Sequence, residues 1–347
     1  MGNMRNSRKR IRLAGLLALL LTATLLLSAL PAGAEVTTLY TAKISTHFPN
    51  SITNVYTQPD LDSKVLANYK PGRAIEVVEV MPNFVGIKIS GRVGYVLRHR
   101  IMDPVALDKA STPRFGTALN LWYATLSQET HVKAAPDSAS ETLITLQEGA
   151  QLGFLDVTDG WARLIFKRQY GYVDTRELLS LEMVAPVEAR GPVDIPIAVY
   201  NSFYNIAVDE NNLNRINNLA VGGQRMSKVL APGQTLDFNG EVGPFRASNG
   251  YKPAGALVDG EMVYDVYGGG SCQVSSTLYN AVLQLTGLTV LRRAPHGANG
   301  IAYLPHGVDA SSGGLNFVFR NDYEFPVRIY AHVQDGSLFV AFYREAA

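Results

Sequence analysis

Gly268-Gly269-Gly270-Ser271-Cys272-Gln273-Val274-Ser275-Ser276-Thr277-Leu278-Tyr279-Asn280-Ala281 is the stretch around which the C-terminal part of the chain is organised. Val274, Leu278, Ala281, Val282 and Leu285 recur at i, i+4, i+7, i+8 and i+11, which is one face of an α-helix. Gly287 stands where a left-handed C-cap would end that helix. The sole cysteine, Cys272, therefore falls at or just before the helix N-terminus. Free N–H groups and the macrodipole favour an anion there, so a thiol in that place is expected to ionise more readily. The plainer reading of Cys272 is a small buried residue where a glycine turn meets the helix, since free cysteine is among the most buried residue types.

Working outward, the 347 residues suggest two or three domains, and 47% hydrophobic with 18% charged residues is the composition of a chain with real cores. Lys and Arg (31) nearly cancel Asp and Glu (30), so no global field points to nucleic acid. At the N-terminus, Arg5, Arg8, Lys9, Arg10 and Arg12 precede the apolar run Leu13–Leu30 and the small-residue site Ala32-Gly33-Ala34. Residues 1–34 read as a secretory signal peptide, or as an uncleaved anchor of the same orientation. Either way the remainder is expected outside the cytoplasmic membrane, in the cell envelope or secreted. Membrane contact is expected only through that segment. One cysteine leaves no internal disulfide, so packed cores must supply stability.

Two repeats follow. Pro59-Asp60 recurs as Pro136-Asp137, Gly72 as Gly149, Phe84 as Trp161, and Gly94-Tyr95-Val96 as Gly171-Tyr172-Val173. A constant offset of 77 across four landmarks means two copies of one unit, at about 41–103 and 118–181. Short β-branched runs at Ala74–Val80, Val85–Ile89, Gln151–Val157 and Ala162–Phe166, separated by Pro71-Gly72 and Asp159-Gly160, read as small all-β barrels. Lys109–Phe115 reads as a linker. The opening Asn-Val-Tyr-x-x-Pro-Asp, mid-unit glycine, aromatic residue and closing Gly-Tyr-Val resemble bacterial SH3-type domains of cell-wall proteins. That resemblance implies peptidoglycan binding, with Tyr95, Trp161 and Tyr172 as wall-binding candidates; filling the small cores is the alternative role for these rings.

Pro186, Gly191, Pro192 and Pro196 mark the next boundary. A helix is expected at about Asp209–Val221. Strands are expected at Thr289–Arg293, Leu315–Phe319, Val327–Val333 and Leu338–Tyr343, with an Asp335-Gly336 hairpin turn joining the last two. The C-terminal unit, 197–345, thus reads as α+β. It resembles the VanW-like family, named from vancomycin-resistance gene clusters. The resemblance is carried by Asn214-Arg215, Asn217-Asn218, Pro232-Gly233, Phe238-Asn239 and Val242-Gly243-Pro244. Further matches are Gly250-Tyr251, the glycine-cysteine stretch, Arg293, His296, Tyr303, Pro305, Gly307, Asp309-Ala310 and Asn321. Val308 stands where the family usually has a basic residue and Asn316 where it often has Asp. The resemblance implies an envelope location and a link to glycopeptide resistance or wall metabolism. The whole chain is then two small all-β SH3-like barrels followed by an α+β VanW-like domain.

Two function classes remain open. In the first, Cys272 attacks an acyl carbon of peptidoglycan or its stem peptides and His296 moves the proton. Asp309 orients the imidazole, and the Cys272 and Gln273 N–H groups, or the Gln273 side-chain amide, hold the oxyanion. His306 is the rival base. This order of cysteine, histidine and acid is similar to transglutaminase-like and papain-like enzymes. In the second, the chain is a non-catalytic module that binds wall polymer or a partner. The two histidines are then loop residues bonded to backbone, and Asp309 forms a turn with Ser311, Ser312 and the glycines behind them. Ser275-Ser276-Thr277 read as polar residues of the first helical turn. No His-x-x-x-His or Cys-x-x-Cys spacing is present, and no basic residue follows the glycine run within a turn. No metal, nucleotide or other cofactor is therefore expected.

Overall fold

The computed structural model describes residues 36–188, 194–258 and 261–346; the expected signal segment and the boundary residues Gly191 and Pro192 lie outside the described residues. The first repeat supplies β1 (Tyr40–Ile44), β2 (Thr53–Tyr56), β3 (Val65–Tyr69), β4 (Ala74–Val80), β5 (Phe84–Ile89), β6 (Arg92–Leu97) and β7 (Ile101–Ala106). They form one sheet in the order β3-β2-β6-β5-β4-β1-β7. The second repeat supplies β8 (Trp122–Leu126), β9 (Thr130–Lys133), β10 (Thr142–Leu146), β11 (Gln151–Phe154), β12 (Asp156–Thr158), β13 (Trp161–Phe166), β14 (Gln169–Asp174) and β15 (Leu178–Met183). The offset of 77 holds from β2 and β9 through β7 and β15. Only the opening strand departs from it, Tyr40 against Trp122, because the loop after β8 is five residues shorter.

Neither repeat closes into the expected barrel: among the described residues no ladder joins the outer strands. In the first, register shifts at Thr41/Lys43 and Val77/Glu79 bend the sheet around Ile44, Val55, Val77 and Ile87 without sealing it. In the second, the expected strand Gln151–Val157 breaks at Leu155, giving sheets β10-β9-β14-β13-β12 and β11-β8-β15. The C-terminal domain packs against β11. Asn201 accepts from the Gly153 N–H at 2.7 Å and donates to the Gln151 carbonyl at 2.9 Å, and Phe203 joins the core of the second repeat. The glycine of each Gly-Tyr-Val has one steric cause. A Cβ at Gly94 would stand 2.6 Å from Val55 Cγ1, and one at Gly171 stands 2.6 Å from Val132 Cγ1.

The C-terminal domain contains β16 (Ala198–Phe203), α1 (Glu210–Met226), β17 (Val229–Leu230), β18 (Thr235–Asp237), α2 (Phe238–Val242), β19 (Pro253–Val258), β20 (Glu261–Tyr267), α3 (Ser271–Leu283), β21 (Leu288–Arg292), β22 (Val318–Asn321), β23 (Val327–Gln334) and β24 (Ser337–Arg344). Its main sheet runs β16-β24-β23-β17, with α3 against β16 and β24 and α1 against β23. Asp335 and Gly336 both take positive φ, as the tight β23–β24 turn requires. Asp209 caps α1 by accepting from Asn212 N–H. That helix runs past the expected Val221, because Gly222 and Gly223 let it close on Val274 of α3 and Ala331 of β23.

Two expectations are corrected. α3 ends at Leu283 with Gln284 as its cap, and Gly287 does not take positive φ. Gly287 instead makes room for Tyr323, whose ring would lie 2.3 Å from an added Cβ. The expected strand Leu315–Phe319 starts only at Val318. Asn316 Oδ1 accepts from the N–H groups of Asn239 and Phe317, and the Leu315 carbonyl accepts from Asn239 Nδ2. These groups are bonded to α2 before the ladder begins. Among the described residues no helix is long and apolar enough to cross a membrane.

Candidate active site

All five residues of the α3 apolar face are buried: Val274, Leu278, Ala281 and Val282, and Leu285 just beyond the helix end. Burying the valine and leucine side chains is worth about 1.5–3 kcal/mol each, so this face fixes the helix and with it the position of Cys272 in the first turn. The glycine run ahead of it is sterically required. A Cβ at Gly268 would meet Phe245 at 2.8 Å, and one at Gly269 would meet the Ala254 carbonyl oxygen at 2.5 Å. Gly270, the N-cap, has φ of 106° and passes Arg215. Asn218 of α1 holds the run from below, donating to the Gly269 carbonyl at 2.9 Å.

Polar residues of α3 then fasten the loop that carries the acid. Ser275 Oγ and Ser276 Oγ donate to the Ala310 carbonyl at 2.5 and 3.1 Å. Ala310 N–H returns a bond to Ser276 Oγ at 2.9 Å, and Asn280 Nδ2 donates to the Val308 carbonyl at 2.7 Å. The two buried serine hydroxyls are thus clamps on this loop as well as polar residues near the helix start. They set Asp309 and Ser312 beside the helix start.

Asp309 is nearly fully buried and its carboxylate is shared. Oδ2 accepts from His296 Nδ1 at 2.7 Å and from the His296 backbone N–H at 2.6 Å; Oδ1 accepts from Arg293 Nη2 at 3.2 Å. Burial alone would raise its pKa, but the two His296 bonds and the Arg293 charge hold it below the ordinary carboxylate value. His296 is the converse case. Burial alone would lower it, yet the bond to Asp309 and the interaction with Cys272 raise it to about 9. For Cys272, burial pushes up. His296, with the Ser312 hydroxyl and N–H, outweighs burial and holds the thiol below its usual value. Ser312 N–H lies 3.4 Å and its Oγ 3.5 Å from Sγ. Both shifts run in the direction that favours a thiolate–imidazolium pair, with Nδ1 fixed by the acid and Nε2 left for the sulfur side.

Cys272, His296 and Asp309 are thus brought together. His306 is not: its Nε2 bonds the Ala298 carbonyl at 2.8 Å, its ring lies edge-on to His99, and it lines a separate cavity. Gln273 turns inward. Its N–H donates to the Gly270 carbonyl, Nε2 donates to Ser202 Oγ and the Phe203 carbonyl, and Oε1 accepts from Arg215. It therefore has no donor free for an oxyanion. Ser312 N–H is the better-placed donor, and sequence reasoning read that residue only as part of a turn. Asn316 Nδ2 donates to Asp237 Oδ1 at the α2 cap, and Asn316 takes no part in the bonds among Cys272, His296 and Asp309. Val308 is buried. Tyr95, Trp161 and Tyr172 are half-buried, neither sealed in the cores nor fully exposed. Among the described residues no three His, Cys, Asp or Glu side chains gather to hold a metal ion.

The sulfur opens onto two cavities of 610 and 550 Å³, both lined by Cys272, His296 and Ser312. Apolar walls come from Phe245, Leu257, Met262, Tyr267 and Ile301. The cleft beside Cys272 is thus largely apolar, with a few polar groups converging at the sulfur.

Residues 214–343 match the family described as "VanW like protein". Over 147 residues the chain is 37% identical to "Uncharacterized protein YoaR" of Bacillus subtilis (strain 168), an alignment covering 42% of this chain and 46% of that protein. The chain thus spans about half the length of the curated relative it matches. Two solved structures share 10% and 11% identity, each at a TM-score of 0.18: "Structure of NlpC2 from Trichomonas vaginalis" (55% of this chain, 58% of that one) and "Structure of NlpC1 from Trichomonas vaginalis" (90% and 95%). At that score neither carries an argument about fold or chemistry. The C-terminal region of this chain is a VanW-like domain, homologous to the matching part of YoaR.

Proposed function

We propose that this protein is an exported cell-envelope enzyme, a cysteine-dependent acyl hydrolase or transferase acting on peptidoglycan stem peptides, with its two SH3-like repeats holding it at the wall. The observation that carries the reading is the buried bond chain from Arg293 through Asp309 to His296 beside Cys272. The Cys272 thiolate adds to the carbonyl carbon of a peptide bond, and the tetrahedral oxyanion forms near Ser312 N–H. As the C–N bond breaks, imidazolium Nε2–H gives its proton to the leaving amine, which leaves a thioester on Cys272. Water or a second amine then attacks that thioester, His296 takes the attacker's proton, and the C–S bond breaks to restore the pair. The VanW resemblance is the ground for choosing wall peptides, and the N-terminal basic and apolar segment for placing the protein outside the membrane. Half-buried Tyr95, Trp161 and Tyr172 suit a wall-facing role.

Purified muropeptides incubated with the protein should yield shortened or exchanged peptides and a transient mass adduct on Cys272, both lost in Cys272→Ala. Sedimentation with purified wall sacculi should persist in Cys272→Ala and weaken in a Tyr95→Ala/Trp161→Ala/Tyr172→Ala variant. Unchanged peptides with intact sacculus binding would instead make the chain a wall-binding accessory protein.

A further inference from the structure

The charges of the cleft point to its substrate class. Across the two cavities that meet at Cys272, the charged side chains among the described residues are Arg215 and the imidazolium of His296, set against the one negative charge of the thiolate. No Asp or Glu lines either cavity among the described residues. Among the described residues the charges lining the cleft thus sum to one net positive charge.

Arg215 is placed to use it. It projects from α1 past the N-cap Gly270, where an added Cβ would come within 3.0 Å of its Cγ. Its Nη2 donates to Gln273 Oε1 at 3.0 Å, which anchors the guanidinium to the residue beside the nucleophile. That bond uses one donor. Among the described residues Arg215 has no carboxylate partner, whereas Arg293, the neighbouring arginine of the site, is paired with Asp309. The Arg215 guanidinium also lies 6.0 Å from the Tyr303 ring centroid, a contact that uses the flat face and no N–H donor; an arginine so held at the wall of a cavity keeps a fork of donors for a planar anion. On the same wall, Phe245, Leu257, Met262 and Ile301 give an apolar surface.

We propose that Arg215 binds a free carboxylate of the substrate. The preferred acyl substrate is then a peptide with an apolar side chain and an ionised carboxyl group within a residue or two of the attacked carbonyl. This rests on the reading of Cys272 as nucleophile and adds the group that selects the substrate. A monoanionic ligand neutralises the cleft, and an amidated peptide leaves Arg215 without a counter-charge.

The test needs no turnover and uses two alkylating reagents of nearly equal size on the whole protein: iodoacetate, which carries the carboxylate, and iodoacetamide, which does not. The readout is the ratio of their rates at Cys272, compared with the same ratio for a small free thiol. Attraction across several ångströms in a half-exposed cleft corresponds to about a tenfold preference for the anion. The ratio should be raised to that extent in the wild type, should fall about tenfold in Arg215→Gln, and should be largely kept in Arg215→Lys. Should Arg215→Gln fail to fold, acetate must slow wild-type alkylation by iodoacetamide while acetamide does not. A wild-type ratio equal to that of the free thiol, or a raised ratio that Arg215→Gln leaves in place, overturns the proposal. Alkylation of Cys272 by both reagents at the pace of an ordinary thiol overturns the nucleophile reading beneath it, and that outcome is seen in the absolute rates rather than in their ratio.

Discussion

Asp309→Asn is the substitution that most strains the proposed site. The carboxylate takes two bonds from His296, at 2.6 and 2.7 Å, and a third from Arg293 at 3.2 Å. An amide has one acceptor oxygen, so its NH₂ must face either the imidazole or the guanidinium, donor against donor. The carboxylate hydrogen bond that leads in raising His296 to about 9 is weakened, and the smaller contribution of the Asp309 charge disappears with it. Each unit by which that pKa falls removes about 1.4 kcal/mol from the thiolate–imidazolium pair. Breaking a buried ion pair costs about 3–5 kcal/mol. Because the Arg293 side chain is 22% exposed, the expected loss of folding stability is nearer the lower figure. The wrong tautomer adds a chemical cost of about 10⁴ in turnover by analogy with hydrolytic triads. The assays are urea unfolding for stability, the NMR titration of the His296 ring for its pKa, and the pH dependence of iodoacetamide labelling for the thiolate. Labelling should shift toward the pH of an ordinary thiol. A variant that keeps the wild-type labelling profile and the raised His296 pKa would refute the reasoning.

Gly287→Ala should destabilise the protein by about 1–3 kcal/mol in urea unfolding, since its Cβ overpacks against the Tyr323 ring. A neutral result would mean that the loop yields freely. Gln273→Met should cost about 1–3 kcal/mol, because Ser202 and Arg215 each lose a partner. It should leave the pH profile of Cys272 labelling as in the wild type, since His296 and Ser312, not Gln273, hold the thiol below its usual value. Acid should weaken the fold through Asp309. Its folded pKa lies below the unfolded value, so its contribution is present above that value and is lost as pH falls through the folded one. Chemical denaturation at falling pH should show a smaller acid loss in Asp309→Asn than in the wild type.

The parts legible in the sequence are those with a period. The helix face from Val274 to Leu285 announces itself because every fourth or third position must be apolar to face the sheet. The two repeats announce themselves because equal strands at one offset need equal residues, down to Gly94 against Val55 and Gly171 against Val132. Cys272, His296 and Asp309 were legible as residue types in order, but their meeting was not, because it depends on Ser275, Ser276 and Asn280 binding the backbone of a distant loop. Nothing local distinguishes a serine that caps a helix from one that clamps Ala310. The direction of Gln273 was equally hidden, since its partners Ser202 and Arg215 lie some sixty to seventy residues away in sequence. In the second repeat a non-local contact, Asn201 of the C-terminal domain bonded to β11, was hidden in the same way.

The central claim is that Cys272 and His296 share a proton as thiolate and imidazolium in the neutral range. Thiolate absorbance of the wild type, less that of Cys272→Ser, followed from acid to alkaline pH, tests it most directly. The account predicts a thiolate signal already present at neutral pH and a labelling rate that follows it, with the imidazolium persisting to about 9. A signal that rises only around the ordinary thiol pKa of about 8.5, with labelling in step, would contradict it.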